Sequence, residues 1–95
     1  MRPTTYATVT ISTPVRKQLQ DVYSRFGDLI REYRKSKKMS LMALSELLGV
    51  SYGTLSAIEL GKRTLTLVSI LVIAEKIGLD VGVVFGEVVN KRSVV

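Results

Sequence analysis

Charged side chains provide the clearest chemical signal in this sequence of 95 residues, whose formal net charge is +6. Between positions 31 and 63 the cations outnumber the anions by seven to three, which gives this segment a net charge of +4. The cations are Arg31, Arg34, Lys35, Lys37, Lys38, Lys62 and Arg63, and the anions are Glu32, Glu46 and Glu59. A concentration of one charge sign attracts oppositely charged partners to a surface. We therefore expect a polyanion, and nucleic acid in particular, to bind this part of the chain.

Two residue types that are common in catalytic and metal sites are missing, since the sequence contains no histidine and no cysteine. A disulfide or a thiolate metal site is therefore impossible. The commonest general base and the commonest metal ligand are also absent. Hydroxyl and carboxylate groups are present, but no base is placed to activate them. We expect neither an enzyme nor a bound metal or organic cofactor.

The apolar segments are too short to cross a membrane. The longest stretch, from Leu65 to Ala74, is interrupted by Thr66 and Ser69 and has half of the roughly 20 residues that a spanning helix needs. Residues 4–13 alternate polar and apolar side chains, unlike the continuous apolar core of a secretion signal. These patterns predict a cytoplasmic protein without a membrane partner.

The segment from Thr4 to Ser12 has the alternation of a β-strand, with Ala7, Val9 and Ile11 on one face. A single strand leaves its backbone groups unpaired, so it needs a second strand. A second copy of the chain would supply one and form a two-stranded ribbon between subunits. The other interpretation is a flexible arm.

The rest of the chain has helical periodicity. Thr13 is the expected cap of the first helix, with Pro14 at its first position. Its apolar face comprises Val15, Leu19, Val22, Phe26, Leu29, Ile30 and Tyr33. Gly27 interrupts this pattern, which predicts either one bent helix or two short helices. Four more helices are predicted at 41–48 after Ser40, from Ser51 to about 60, from 66 to about 77, and from Asp80 through 85.

Two of these short helices meet at the sequence Leu48-Gly49-Val50-Ser51. Glycine permits a sharp turn, and the serine hydroxyl caps the helix that follows. The second helix can then cross the first steeply and protrude, which suits the major groove of DNA, about 12 Å wide. The spacing is typical of a helix-turn-helix.

The surrounding residues sharpen this interpretation. The stretches FGDLIREYR (26–34), LSELLGVS (44–51) and LSAIELGKR (55–63) resemble the Cro/repressor, Xre-like family of phage and bacterial regulators. The resemblance extends from residue 26 to about 86 and implies an all-α, five-helix lambda-repressor-like domain, here with an N-terminal strand and helix extension. It implies a bacterial or phage-encoded, nucleoid-associated protein. We divide the chain into an extension (1–25), a DNA-binding domain (26–87) and a C-terminal tail (88–95).

The resemblance implies roles for individual residues. Arg34 and Glu59 match an ion pair that ties the first helix to the third. Lys62 and Arg63 match a loop that contacts phosphates, and the helix starts near Ser40 and Ser51 would face phosphates as well. The positions that read bases are Tyr52, Gly53, Ser56 and Ala57, and Thr54 is a further phosphate contact.

Some positions depart from the family pattern. Leu41 stands where the family commonly has a phosphate-anchoring glutamine. Gly53 and Ala57 offer no side-chain hydrogen bond to a base, and Tyr52 and Ser56 offer one hydroxyl each. We expect weak direct base readout, supplemented by contacts with thymine methyl groups and by recognition of DNA shape.

Three functions fit this sequence. The first is a dimeric, sequence-specific repressor on double-stranded DNA. The second is an antitoxin-like regulator, in which residues 4–25 hold a toxin-like protein partner. The third is a protein-only adaptor. Five aliphatic residues predicted at or near the surface favour self-association or a foreign partner, unless the N-terminal helix covers them: Leu41, Leu47, Val68, Val72 and Val81.

Overall fold

The computed structural model describes the backbone of residues 12–93 and the side chains of residues 12–88. This part of the chain forms five helices and no strand, which confirms the predicted all-helical domain. The helices are α1 (Thr13–Ser36), α2 (Leu41–Leu48), α3 (Tyr52–Glu59), α4 (Leu67–Ile77) and α5 (Val81–Ser93). The strand predicted from Thr4 to Ser12 lies, apart from Ser12, outside the described residues.

α1 begins one residue earlier than predicted. Thr13 is already helical, and Ser12 is the cap, with an extended backbone and a hydroxyl that accepts from the Val15 amide at 3.4 Å. Of the two predicted forms, a single helix is observed, because α1 runs for 24 residues through Gly27. It therefore passes the predicted division at residue 25 without a break.

Gly27 is a packing residue and not a helix break. α1 lies so close to the end of α3 that a Cβ atom at position 27 would overlap the Ile58 carbonyl oxygen and lie 2.9 Å from that of Glu59. Only a residue without a side chain permits this approach. The interruption in the apolar pattern thus marks the point where the two helices meet.

The core fills the space between α1 and the other four helices. Phe26 and Ile30 of α1 are completely buried, as are Leu44 of α2 and Leu55 of α3. The buried apolar residues are Val22, Phe26, Ile30, Leu44, Leu48, Leu55, Ile58, Ile70, Ile73, Ala74, Val84 and Val88. Because Val22 belongs to this set, part of the predicted extension is integral to the fold.

α5 is longer than the predicted helix that ends at Phe85. Asp80 begins it as expected, its Oδ1 accepting from the Gly82 amide at 2.9 Å. Val84 and Val88 lie one turn apart and are both buried, so packing against the core continues the helix past Phe85. Sequence periodicity missed this extension.

Within residues 12–93, no single helix has the length and apolar composition needed to cross a membrane. α2 and α3 pass that test only when taken together, as a pair bent by 104°. Leu44, Leu48, Leu55 and Ile58 of this pair belong to the core of the helical domain.

Candidate nucleic-acid interface

The turn between α2 and α3 is set by Gly49. Its φ of 74° lies in the left-handed region that favours glycine, and its amide donates to the Ser45 carbonyl oxygen at 2.9 Å. The Val50 amide donates to the same oxygen at 3.1 Å. This reversal ends α2 and leads the chain into α3 at the steep angle of 104°. The second helix of such a pair can protrude from the domain.

Ser51 begins α3 and engages Thr54 twice. Its hydroxyl oxygen accepts from the Thr54 amide at 3.1 Å and donates to the Thr54 hydroxyl at 2.8 Å. The Thr54 hydroxyl, already an acceptor, keeps its own hydrogen to donate to an external oxygen. These capping hydrogen bonds orient the side chains of Ser51 and Thr54, which were both predicted near phosphates.

The predicted base-reading positions lie on the accessible side of α3. Tyr52 is 51% exposed, and Gly53 is exposed, with no atom within 4 Å of the place where a Cβ would lie. Ser56 and Ala57 are half-buried. The helix therefore presents the ring of Tyr52, the exposed backbone at Gly53 and the hydroxyl of Ser56. This surface has little capacity for bidentate hydrogen bonds to bases.

The start of α2 is built like that of α3. Ser40 has an extended backbone, and its hydroxyl accepts from the Ala43 amide at 3.0 Å. Both caps leave the first amides of their helices directed outward, with the positive end of the helix dipole behind them. Anions are stabilised at such ends.

The loop after α3 carries two exposed cations, Lys62 and Arg63. α1 holds the backbone on either side of them. Gln20 Nε2 donates to the Gly61 carbonyl oxygen at 2.9 Å, and the Tyr23 hydroxyl donates to that of Leu65 at 3.2 Å. The two cations are thus presented from a loop that is fixed at both ends.

Arg34 and Glu59 form a two-point ion pair between α1 and the end of α3. Arg34 Nε lies 2.8 Å from Glu59 Oε2, and Nη2 lies 3.0 Å from Oε1. Arg34 Nη1 also donates to the Met39 carbonyl oxygen at 3.2 Å. The side chains are only 14% and 7% exposed, and the hydrogen bond with Glu59 raises the pKa of Arg34. Arg34 therefore stays charged where it ties α1 to α3.

Comparison with known proteins agrees with this geometry. A helix-turn-helix family model of the Cro/repressor, Xre-like type matches residues 30–84, more than half of the chain. The chain belongs to this family. No curated protein and no solved structure gives a significant match to the chain. Membership in the family makes the chain a DNA-binding transcription regulator.

Three side chains that position the family motif were not identified from the sequence. They are Gln20 and Tyr23 of α1 and Lys76 of α4. The Lys76 Nζ donates to the Leu48 carbonyl oxygen at 3.2 Å. That carbonyl lies at the end of α2, where a cation is favourable. The contacts join residues 28 to 42 positions apart, so no local sequence pattern predicts them.

The surface aliphatic residues are concentrated on α4. Val68 is 70% exposed, and Leu67, Leu71 and Val72 are exposed beside it. We call these four residues the α4 face. Of the other positions predicted at or near the surface, Leu47 is exposed, whereas Leu41 and Val81 are half-buried and pack against the core.

Proposed function

We propose that this protein is a homodimeric transcriptional repressor that inserts α3 into the major groove of its operator. The observation that carries the proposal is the exposed start of α3 at Tyr52 and Gly53, flanked by capped helix starts and by the exposed cations of Lys62 and Arg63. The first helix of such a motif crosses the phosphate backbone while the second enters the groove. A dimer bound in this way represses transcription by covering the DNA. Repression of this kind needs no additional surface for activating transcription.

Phosphate contacts provide most of the affinity in this proposal. Lys62 and Arg63 contact the backbone from the anchored loop, and the starts of α2 and α3 near Ser40 and Ser51 contact it through amides. Thr54 donates its hydroxyl to a phosphate. Tyr52, Gly53, Ser56 and Ala57 face the base edges. Because this face offers few hydrogen bonds, the sequence preference rests largely on apolar contact and on DNA shape.

The dimer in this proposal forms through the α4 face. An exposed apolar helix face that contains no charge suits a symmetric contact, in which the same surface meets its own copy. A groove of about 460 Å³ connects this face to the start of α3, and its lining includes Val50, Thr54, Val68 and Val72. In the proposed dimer, the two copies of α3 lie on the same side. Half-sites about 34 Å apart require such an arrangement.

Charge reversal in the loop tests the DNA contact. Lys62→Glu/Arg63→Glu should weaken binding to duplex DNA and lower the slope of log affinity against log salt by about 2, since each phosphate contact contributes about 0.9. Arg16→Glu/Lys17→Glu is the matched control, because it changes the net charge equally on exposed residues at the start of α1. Fluorescence anisotropy between 50 and 300 mM salt measures both. Equal slopes for the two variants would contradict the proposed contact.

Sedimentation equilibrium tests the dimer. The wild-type protein should have twice the 10.5 kDa mass of one chain, and Val68→Glu should return it to 10.5 kDa. Val83→Glu places the same charge on an exposed residue of α5 and should leave the dimer intact. A monomeric wild type, or a dimer that survives Val68→Glu, would rule out the α4 interface.

A further inference from the structure

A small cavity lies where α1, α2 and α3 meet. Its volume is about 190 Å³, and it is lined by Arg31 and Arg34 of α1, Leu41 of α2, Ser56 and Glu59 of α3, and Leu60. Drug-sized ligands occupy about 300–1,000 Å³, so this cavity is too small for them. A water molecule takes about 30 Å³, so the cavity has room for one phosphate group with its hydration.

The charges in the cavity do not balance. Arg34 donates two hydrogen bonds to Glu59 and a third to the Met39 carbonyl oxygen. Arg31 is exposed, and it has no ion pair or side-chain hydrogen bond within the part of the chain that the structure describes. Once the Arg34–Glu59 pair has cancelled itself, one uncompensated guanidinium remains at the cavity wall.

We propose that Arg31 binds a backbone phosphate of the DNA in this cavity. The inference rests on the proposed function and adds a contact to it. Leu41 is the first residue of α2, the helix that crosses the phosphate backbone in a helix-turn-helix complex, and it forms part of the cavity wall. The planar guanidinium of Arg31 can donate two parallel hydrogen bonds to phosphate oxygens.

This contact would add a third cation to the phosphate contacts of Lys62 and Arg63. Lys62 and Arg63 hold the backbone at the loop, and Arg31 holds it between the start of α2 and the second half of α3. Clamping the DNA at two points fixes the register of the helix in the groove without reading any base. Such positioning matters more where direct readout is weak, as on the face formed by Gly53 and Ala57.

The substitution Arg31→Gln tests the proposal with Arg16→Gln as its control. Both remove one exposed positive charge from α1, so they change long-range electrostatics by the same amount. We expect Arg31→Gln to weaken DNA binding about tenfold at moderate salt and to lower the salt slope by about 1. Arg31→Lys should restore most of the slope but only part of the affinity, because lysine cannot form the two-point contact. Circular dichroism melts check that each variant is folded.

The outcomes separate this inference from the proposed function. If the wild-type protein binds DNA and Arg31→Gln behaves like Arg16→Gln, the Arg31 contact is wrong and the proposed function stands. If the wild-type protein does not bind duplex DNA at any salt concentration, both are wrong. A loss of slope confined to Arg31→Gln supports the contact.

Discussion

The Arg34–Glu59 pair should contribute a large part of the stability of this domain. The variant Glu59→Ala leaves Arg34 charged and without a carboxylate in a site where it is only 14% exposed. Leaving one partner of a buried pair uncompensated costs about 3–5 kcal/mol. A domain of this length has a total free energy of unfolding of about 5–14 kcal/mol, so the loss is a substantial fraction of it.

A thermal melt followed by circular dichroism measures this loss. In a domain of this size 1 kcal/mol shifts Tm by about 4–8 °C, and Glu59→Ala should therefore lower Tm by at least ~12 °C. The control is Glu87→Ala, which breaks a pair of similar geometry at the surface. Arg25 Nε lies 2.7 Å from Glu87 Oε1, but the side chains are 34% and 44% exposed. Exposed pairs contribute about 0–1 kcal/mol, so this control should change Tm little.

A double variant identifies the source of the cost. If the unpaired charge destabilises Glu59→Ala, then Arg34→Met/Glu59→Leu should recover much of the lost Tm, because no buried charge is left. A Tm of Glu59→Ala within a few degrees of that of Glu87→Ala would contradict a large contribution from the pair. A double variant less stable than Glu59→Ala would contradict the unpaired charge as the source of the cost.

Three backbone predictions follow from the glycines and from one strained residue, each measured by thermal melting. Gly53→Ala should raise the free energy of unfolding by up to about 1 kcal/mol, since the position is helical and open, and a lower Tm would contradict this. The same change at Gly27 should lower it by about 1–3 kcal/mol, because the new methyl group meets the Ile58 carbonyl oxygen; an unchanged Tm would show that α1 and α3 separate freely. Lys38→Gly should stabilise by about 1 kcal/mol, since Lys38 has a φ of 57°; no gain would mean that the lysine side chain compensates for its backbone strain.

Local signals were sufficient to predict the helix-turn-helix. Ser40 and Ser51 are caps, and Gly49 is a turn glycine, because each acts on backbone groups only a few residues away. These three positions set both ends of α2 and the start of α3. The Arg34–Glu59 pair joins residues 25 positions apart, and it was expected only through resemblance to a known family.

Features that depend on tertiary packing were not predictable in the same way. Gly27 looked like a helix break because its partner, the end of α3, is about thirty residues further along the chain. The continuation of α5 depends on the burial of Val88, and the anchoring of the loop depends on Gln20 and Tyr23. None of these residues has a neighbour in sequence that reveals its role.

The candidate site was likewise predictable from the sequence only in part. The base-reading side of α3 was expected through resemblance to a known family, and the structure shows how open it is at Tyr52 and Gly53. The cavity at Arg31 could not be found from the sequence, because it forms only where α1, α2 and α3 meet. Arg31 appeared in the sequence as one cation among several.

A comparison of two DNA duplexes tests whether this protein recognises an operator. Fluorescence anisotropy should compare a duplex from the region upstream of its own gene with a shuffled duplex of the same composition, from 50 to 300 mM salt. We expect tighter binding to the upstream duplex and a steep loss of affinity with salt for both. Equal affinity for the two duplexes would contradict operator recognition, and affinity that does not change with salt would contradict binding through phosphates.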